Sequence, residues 1–112
     1  MTKKIQNIIQ KGYDNPVIII FSFNGEFSVD GLSNFTDIIL EIGDETYSTS
    51  QNPENLFLNG SNELRLKIGD STNLPAGSYI PKIVGFTPTY DDGYLLNGTT
   101  QRRLPSCIQV RD

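Results

Sequence analysis

The chain of 112 residues contains no histidine, no tryptophan, one cysteine and one methionine. Each scarcity excludes something. Without histidine, no side chain has an ordinary pKa near neutrality. Ser-His-Asp and Cys-His catalysis fall away, and with them most zinc sites. With a single cysteine, Cys107, no intrachain disulfide can form, as in proteins that fold in a reducing cytosol. A lone thiol with neither a base nor a helix N-terminus beside it is inert. No catalytic residue is therefore assigned.

Long apolar runs are also missing. The longest, Val17 to Phe21, falls far short of the ~20 residues that span a bilayer as a helix. The opening Met1-Thr2-Lys3-Lys4 imitates the basic region of a secretory signal. Gln6, Asn7, Gln10 and Lys11 interrupt the apolar segment that should follow, so no signal peptide is expected. Positive charge is sparse: 9 Lys and Arg stand against 13 Asp and Glu, a net −4. The only adjacent basic pairs are Lys3-Lys4 and Arg102-Arg103. Phosphate backbones demand a denser positive surface, so neither nucleic acid nor an anionic membrane is an expected partner.

The glycines form no phosphate-cradling loop, and no cofactor is expected. The oxygen-rich loops Asp30–Asp37 and Tyr90–Tyr94 hold the donors that calcium uses. Neither has the spacing of an EF-hand or a glycine–aspartate repeat, so no metal ligand is assigned. The carboxylate pairs Asp44-Glu45 and Asp91-Asp92 sit at glycine-rich turns, where acidic residues hydrogen-bond locally. Neighbouring side chains in extended backbone point apart, a poor geometry for glycosidase chemistry.

What is present is alternation. Val17, Ile19 and Phe21 recur at period two up to Phe23, and Ile18 and Ile20 fill the other face, which predicts a central strand. Ile38, Leu40 and Ile42 alternate with Asp37 and Glu41, and Gly43-Asp44 turns that strand into Glu45–Ser48. Leu56–Leu58 is a short strand ended by Asn59-Gly60, and Leu64, Leu66 and Ile68 alternate with Arg65 and Lys67. Ile5–Gln10 and Phe27–Val29 add shorter candidates. Tyr79 to Phe86 is extended with an ambiguous phase: either Tyr79 and Ile83 face inward, or Ile80, Val84 and Phe86 do. Pro81, which lacks a donor, predicts an edge or an irregularity there. Thr87–Arg103 reads as a long polar segment, and Leu104, Ile108 and Val110 as a last strand carrying Cys107. The expectation is one all-β domain over residues 1–112, an antiparallel sandwich of seven to nine strands.

Gly69-Asp70, Leu74, Gly77 and Tyr79 resemble the corner between strands E and F of immunoglobulin-like sandwiches, where a tyrosine hydroxyl returns to backbone a few residues upstream. The missing tryptophan and cysteine pair separate the chain from antibody domains. A wider resemblance runs through Ile9–Gly12 with Asp14, Val17–Phe23, Asn24-Gly25, Leu32 with Thr36-Asp37, Ile38–Ile42 with Gly43-Asp44, Leu64–Asp70 and Leu74–Tyr79. In this order the chain resembles the small immunoglobulin-like accessory proteins of tailed-phage and prophage tails, and the N-terminal sandwich of baseplate upper proteins. The resemblance implies a non-enzymatic virion module for tail, baseplate or fibre attachment, or for particle decoration. It implies folding in the host cytoplasm, and other virion proteins or a second copy of the chain as partners, with no small-molecule substrate. The alternative from another class is a ligand-binding sandwich such as a carbohydrate-binding module.

Within that frame the candidate partner-contact loop comprises Tyr90, Asp91, Asp92, Tyr94, Arg102 and Arg103. Tyrosine gives a large contact area at low entropic cost, and glycine and aspartate shape the loop. The other reading of the same residues is a hairpin whose tyrosines pack over its own base. Ile5–Gln10 fits neither period and is a candidate edge that pairs with a neighbouring subunit instead of its own sheet.

Overall fold

The computed structural model describes residues 8–21, 31–60, 62–96 and 108–112 in full, and residues 102–103 as backbone. The expected strand Phe27–Val29, the turn Asn24-Gly25, the start of Ile5–Gln10, and Leu104 and Cys107 lie outside the described residues.

The fold is an all-β sandwich. Its strands are β1 (Ile8–Gln10), β2 (Val17–Phe21), β3 (Asp37–Ile42), β4 (Glu45–Ser48), β5 (Leu56–Leu58), β6 (Glu63–Leu66), β7 (Gly77–Tyr79), β8 (Lys82–Phe86), β9 (Tyr94–Leu95), β10 (Arg102–Arg103) and β11 (Ile108–Arg111). One 3-10 turn, Leu32–Asn34, precedes β3. The eleven strands among the described residues exceed the seven to nine expected. The surplus comes from chain runs broken into pieces and from strands inside the segment expected to be polar loop.

One layer has the order β10-β2-β6-β5. β2 is interior, as its unbroken apolar run predicts. Val17, Ile19 and Phe21 are buried, whereas Ile18 and Ile20 are only half-buried. Two further sheets, β4-β3-β8-β9 and β7-β11-β1, are separated by a break in one extended run. The break falls at Ile80-Pro81, between β7 and β8. Proline removes a ladder donor, so one long run becomes two strands: β8 pairs with β3 and β9, while β7 pairs with β11. The return run is divided likewise. β9 leaves β8, the chain contributes β10 to the edge of β2 in the opposite layer, and β11 then comes back to β7.

The phase of Tyr79–Phe86 is resolved. Ile83 is fully buried and Pro81 and Gly85 are buried, whereas Ile80 is 77% exposed. Tyr79 packs against the core on the same side. The first strand corrects the idea that it pairs outside its own sheet, because Ile8–Gln10 runs parallel to β11 over Ile8↔Gln109, Ile9↔Val110 and Gln10↔Arg111. Ile9 fills the core beneath that pair.

The inward side chains of both layers form one cluster that includes Val17, Ile19, Leu40, Leu64, Leu66 and Ile83. The corner from Gly69 to Tyr79 closes it. Tyr79 donates its hydroxyl to the carbonyl of Pro75 at 2.6 Å, the bond the sequence pattern predicts. Leu74 is buried against the β3–β4 turn, where a side chain on Gly43 would come within 2.5 Å of Leu74 Cδ2. At the other end of the corner the Gly12 amide donates to the Gly69 carbonyl at 2.8 Å. A Cβ on Gly69 would collide with the carbonyl oxygens of Tyr13 and Gln10, the latter at 2.6 Å.

Those carbonyls are backbone and cannot swing aside. Gly69→Ala should cost about 3 kcal/mol, at the upper end of overpacking penalties. Gly60→Asn is the control, because nothing lies within 4 Å of its Cβ position and asparagine tolerates positive φ. Urea unfolding of the two variants checks this; equal midpoints would refute the close approach.

Candidate functional site

The sequence-predicted loop is the β8–β9 hairpin. Its turn is held by its own polar groups. The Tyr90 amide donates to Thr87 Oγ1 at 2.9 Å, and the Gly93 amide donates to the Tyr90 carbonyl at 3.1 Å. Gly93 has φ +95°, and its Cβ position is filled by Val84 Cγ1 and the Phe86 ring, so only glycine serves there. The rings of Tyr90 and Tyr94 meet at 5.3 Å between centroids, tilted by 58°. Tyr94 also packs against the core, and Leu96 beyond it is buried. Asp91 and Asp92 are exposed at the tip. These contacts are those of a hairpin packed over its own base.

Arg102 and Arg103 stand elsewhere in the topology. Their backbone pairs with Phe21 and Ile20 at the edge of the opposite layer. The six predicted residues therefore divide between two sheets: four on the β8–β9 hairpin and two on β10.

A second polar centre was not legible as one. Glu45, at the start of β4, accepts hydrogen bonds from Thr72 Oγ1 at 2.6 Å, Tyr47 OH at 2.6 Å and the Asn73 amide at 2.8 Å. Burial by itself raises the carboxyl pKa. The bonds from Thr72, Tyr47 and Asn73, with the charge of Lys11, outweigh it and leave the group below its ordinary value. Burial and then the adjacent carboxylate push the Tyr47 phenol above its ordinary value. Asp37, at the start of β3, is built alike. Its Oδ1 accepts from Ser48 Oγ at 2.9 Å, Thr49 Oγ1 at 3.1 Å and the Ser50 amide at 3.2 Å. Here too burial raises the pKa and the hydrogen bonds lower it further, with a net decrease.

Chemically this arrangement fixes the chain. A general acid requires a raised carboxyl pKa, and Glu45 and Asp37 are shifted the opposite way. Glu63 is nearly buried and is held by Arg65 Nε at 2.6 Å and Asn59 Nδ2 at 3.0 Å. Among the described residues no three His, Cys, Asp or Glu side chains are grouped to hold a metal. No helix among them is long and apolar enough to cross a membrane. Only the local part of these networks has a sequence signal: the Ser and Thr after β4 suit side-chain capping of a turn. Glu45 to Thr72 spans 27 residues and has none.

No family model matches the chain, and neither a curated protein nor a solved structure matches it.

The two carboxyls make stability depend on pH. Their folded values lie below the ordinary 3.8 and 4.5. The stabilisation is complete above about pH 5 and is lost as pH falls through the folded values. The urea midpoint should therefore drop on acidification below about pH 5, and less steeply in Asp37→Asn/Glu45→Gln than in the wild type. Parallel slopes would show that these carboxyls are not the groups that titrate.

Proposed function

We propose that the chain is a non-enzymatic structural and assembly module of a tailed-phage or prophage particle, serving tail, baseplate or fibre attachment, or particle decoration. The observation that carries this reading is the commitment of its half-buried carboxylates. Glu45 and Asp37 each accept three hydrogen bonds that tie turns to strands. Such groups stiffen a scaffold and are poor acids or bases. The tyrosine corner at Tyr79 supports the immunoglobulin-like resemblance on which the particle reading rests. On this reading the chain folds in the host cytoplasm and ends in the virion, with other virion proteins as partners.

A ligand-binding sandwich is the second reading, and one observation favours it. Ile8, Gln10, Tyr13 and Asn15 line an open groove of about 530 Å3, and Tyr13 is 63% exposed. An aromatic face beside two amides suits a sugar ring.

One experiment separates the two readings. Particles from the phage or prophage that encodes the chain are banded on a density gradient and probed for it. The structural reading expects the chain to co-sediment with particles in fixed stoichiometry. Its absence from the particle band, together with glycan-array binding abolished by Tyr13→Ala, would replace that reading with the second.

A further inference from the structure

The outer face of the β3–β8–β9 sheet is apolar where an exposed antiparallel face is ordinarily polar. On β3, Ile38, Leu40 and Ile42 are buried, which turns Asp37, Ile39 and Glu41 outward. On β8, Ile83 and Gly85 are buried, which turns Lys82, Val84 and Phe86 outward. The register aligns these residues in rows: Ile39 lies opposite Val84, and Val84 opposite Leu95 of β9. One row therefore crosses three strands with isoleucine, valine and leucine. Phe86 continues the same face of β8; Leu95 is 46% exposed, and Ile80, in the break before β8, is 77% exposed. The next row pairs Glu41 with Lys82. Both are exposed, and among the described residues no ion pair engages either of them.

We propose that this face binds a second copy of the chain in an isologous, face-to-face dimer. The argument is one of symmetry. A two-fold axis parallel to β3 and β8, lying midway between them in the interface, exchanges the two strands. It sets the second copy's Val84 over Ile39 and the second copy's Ile39 over Val84. The same rotation sets the second copy's Lys82 over Glu41, and its Glu41 over Lys82. Ile39 and Val84 meet each other and each charge meets its opposite, while Leu95 lies over Ser48 of β4 and Phe86 over Asp37; the central four residues have the self-complementarity a two-fold interface requires. The same rows continue onto β4 as Ser48 and Thr46, and Asp37 at the end of the patch already accepts three hydrogen bonds from its own chain on Oδ1. A different partner would have to supply an apolar row and both charges in this register; the chain supplies them itself. The proposal stands independently of the particle reading.

Sedimentation velocity of the full chain over a concentration series tests it. The expected result is a species of twice the 12.5 kDa chain mass. Val84→Lys should raise the dissociation constant about 30-fold or more, since it places two buried ammonium groups in the dimer. Lys82→Glu should raise it about tenfold or more by opposing like charges. The double exchange Glu41→Lys/Lys82→Glu should restore it, because the axis still pairs opposites. The charge variants keep the test decisive if Val84→Lys fails to fold. A wild-type chain that stays monomeric at about 0.5 mM, well above a micromolar Kd, overturns the proposal. So does a dimer that persists in folded Val84→Lys, or a double exchange no better than Lys82→Glu alone.

Discussion

The crossing from β6 to β7 has to satisfy its backbone without a ladder, and polar side chains do that work. Thr72 and Asn73 donate to Glu45, and Tyr79 reaches back to Pro75. Because Glu45 belongs to β4, the corner is fastened to the β3–β4 hairpin. Gly69, lying against the carbonyls of Gln10 and Tyr13, fastens it to the turn after β1 as well. The three sheets share no continuous ladder, and all of them meet on this corner. Removing one donor from such a network leaves a desolvated acceptor, at about 1–3 kcal/mol. The corner is thus the part of the molecule in which single polar groups matter most.

The parts legible in the sequence are those whose period is local. Val17–Phe21 is an unbroken apolar run, Asp37–Ile42 and Glu63–Leu66 alternate, and the sandwich follows from them. Tyr79 was legible because a corner tyrosine has a fixed spacing from its turn. Pro81 was legible as a break because it lacks a donor. The illegible parts are set by partners distant in sequence. β9 and β10 are two residues each and are strands only because β8 and β2 lie beside them. The parallel pairing of β1 with β11 joins the two ends of the chain, and a three-residue strand carries no sign of direction. At the candidate site, the Tyr90–Tyr94 hairpin was legible as a unit. The placement of Arg102 and Arg103 in the other layer was not, because it depends on the return path of the chain.

The ambiguous phase of Tyr79–Phe86 has a physical cause of its own. Alternation identifies the inner face only when the outer face is polar. Here Ile83 faces the core, while Ile80, Val84 and Phe86 face outward. The doublets Ile38-Ile39, Ile83-Val84 and Leu95-Leu96 carry the same message: each places one apolar residue on either side of a strand. A failed phase assignment is then a measurement of apolar character on both faces. Dispersed exposed apolar residues are ordinary on soluble proteins. Three outward-facing apolar residues in one cross-strand row, Leu95 exposed and Ile39 and Val84 half-buried, form a contiguous patch of the kind that marks contact surfaces. The carboxylates of this sheet point to the same end. Asp37 is occupied by the turn after β4 and Glu45 by Tyr47 and the β6–β7 corner, which leaves Glu41 and Lys82 as the charges on β3 and β8 to meet a partner, and the register sets them side by side.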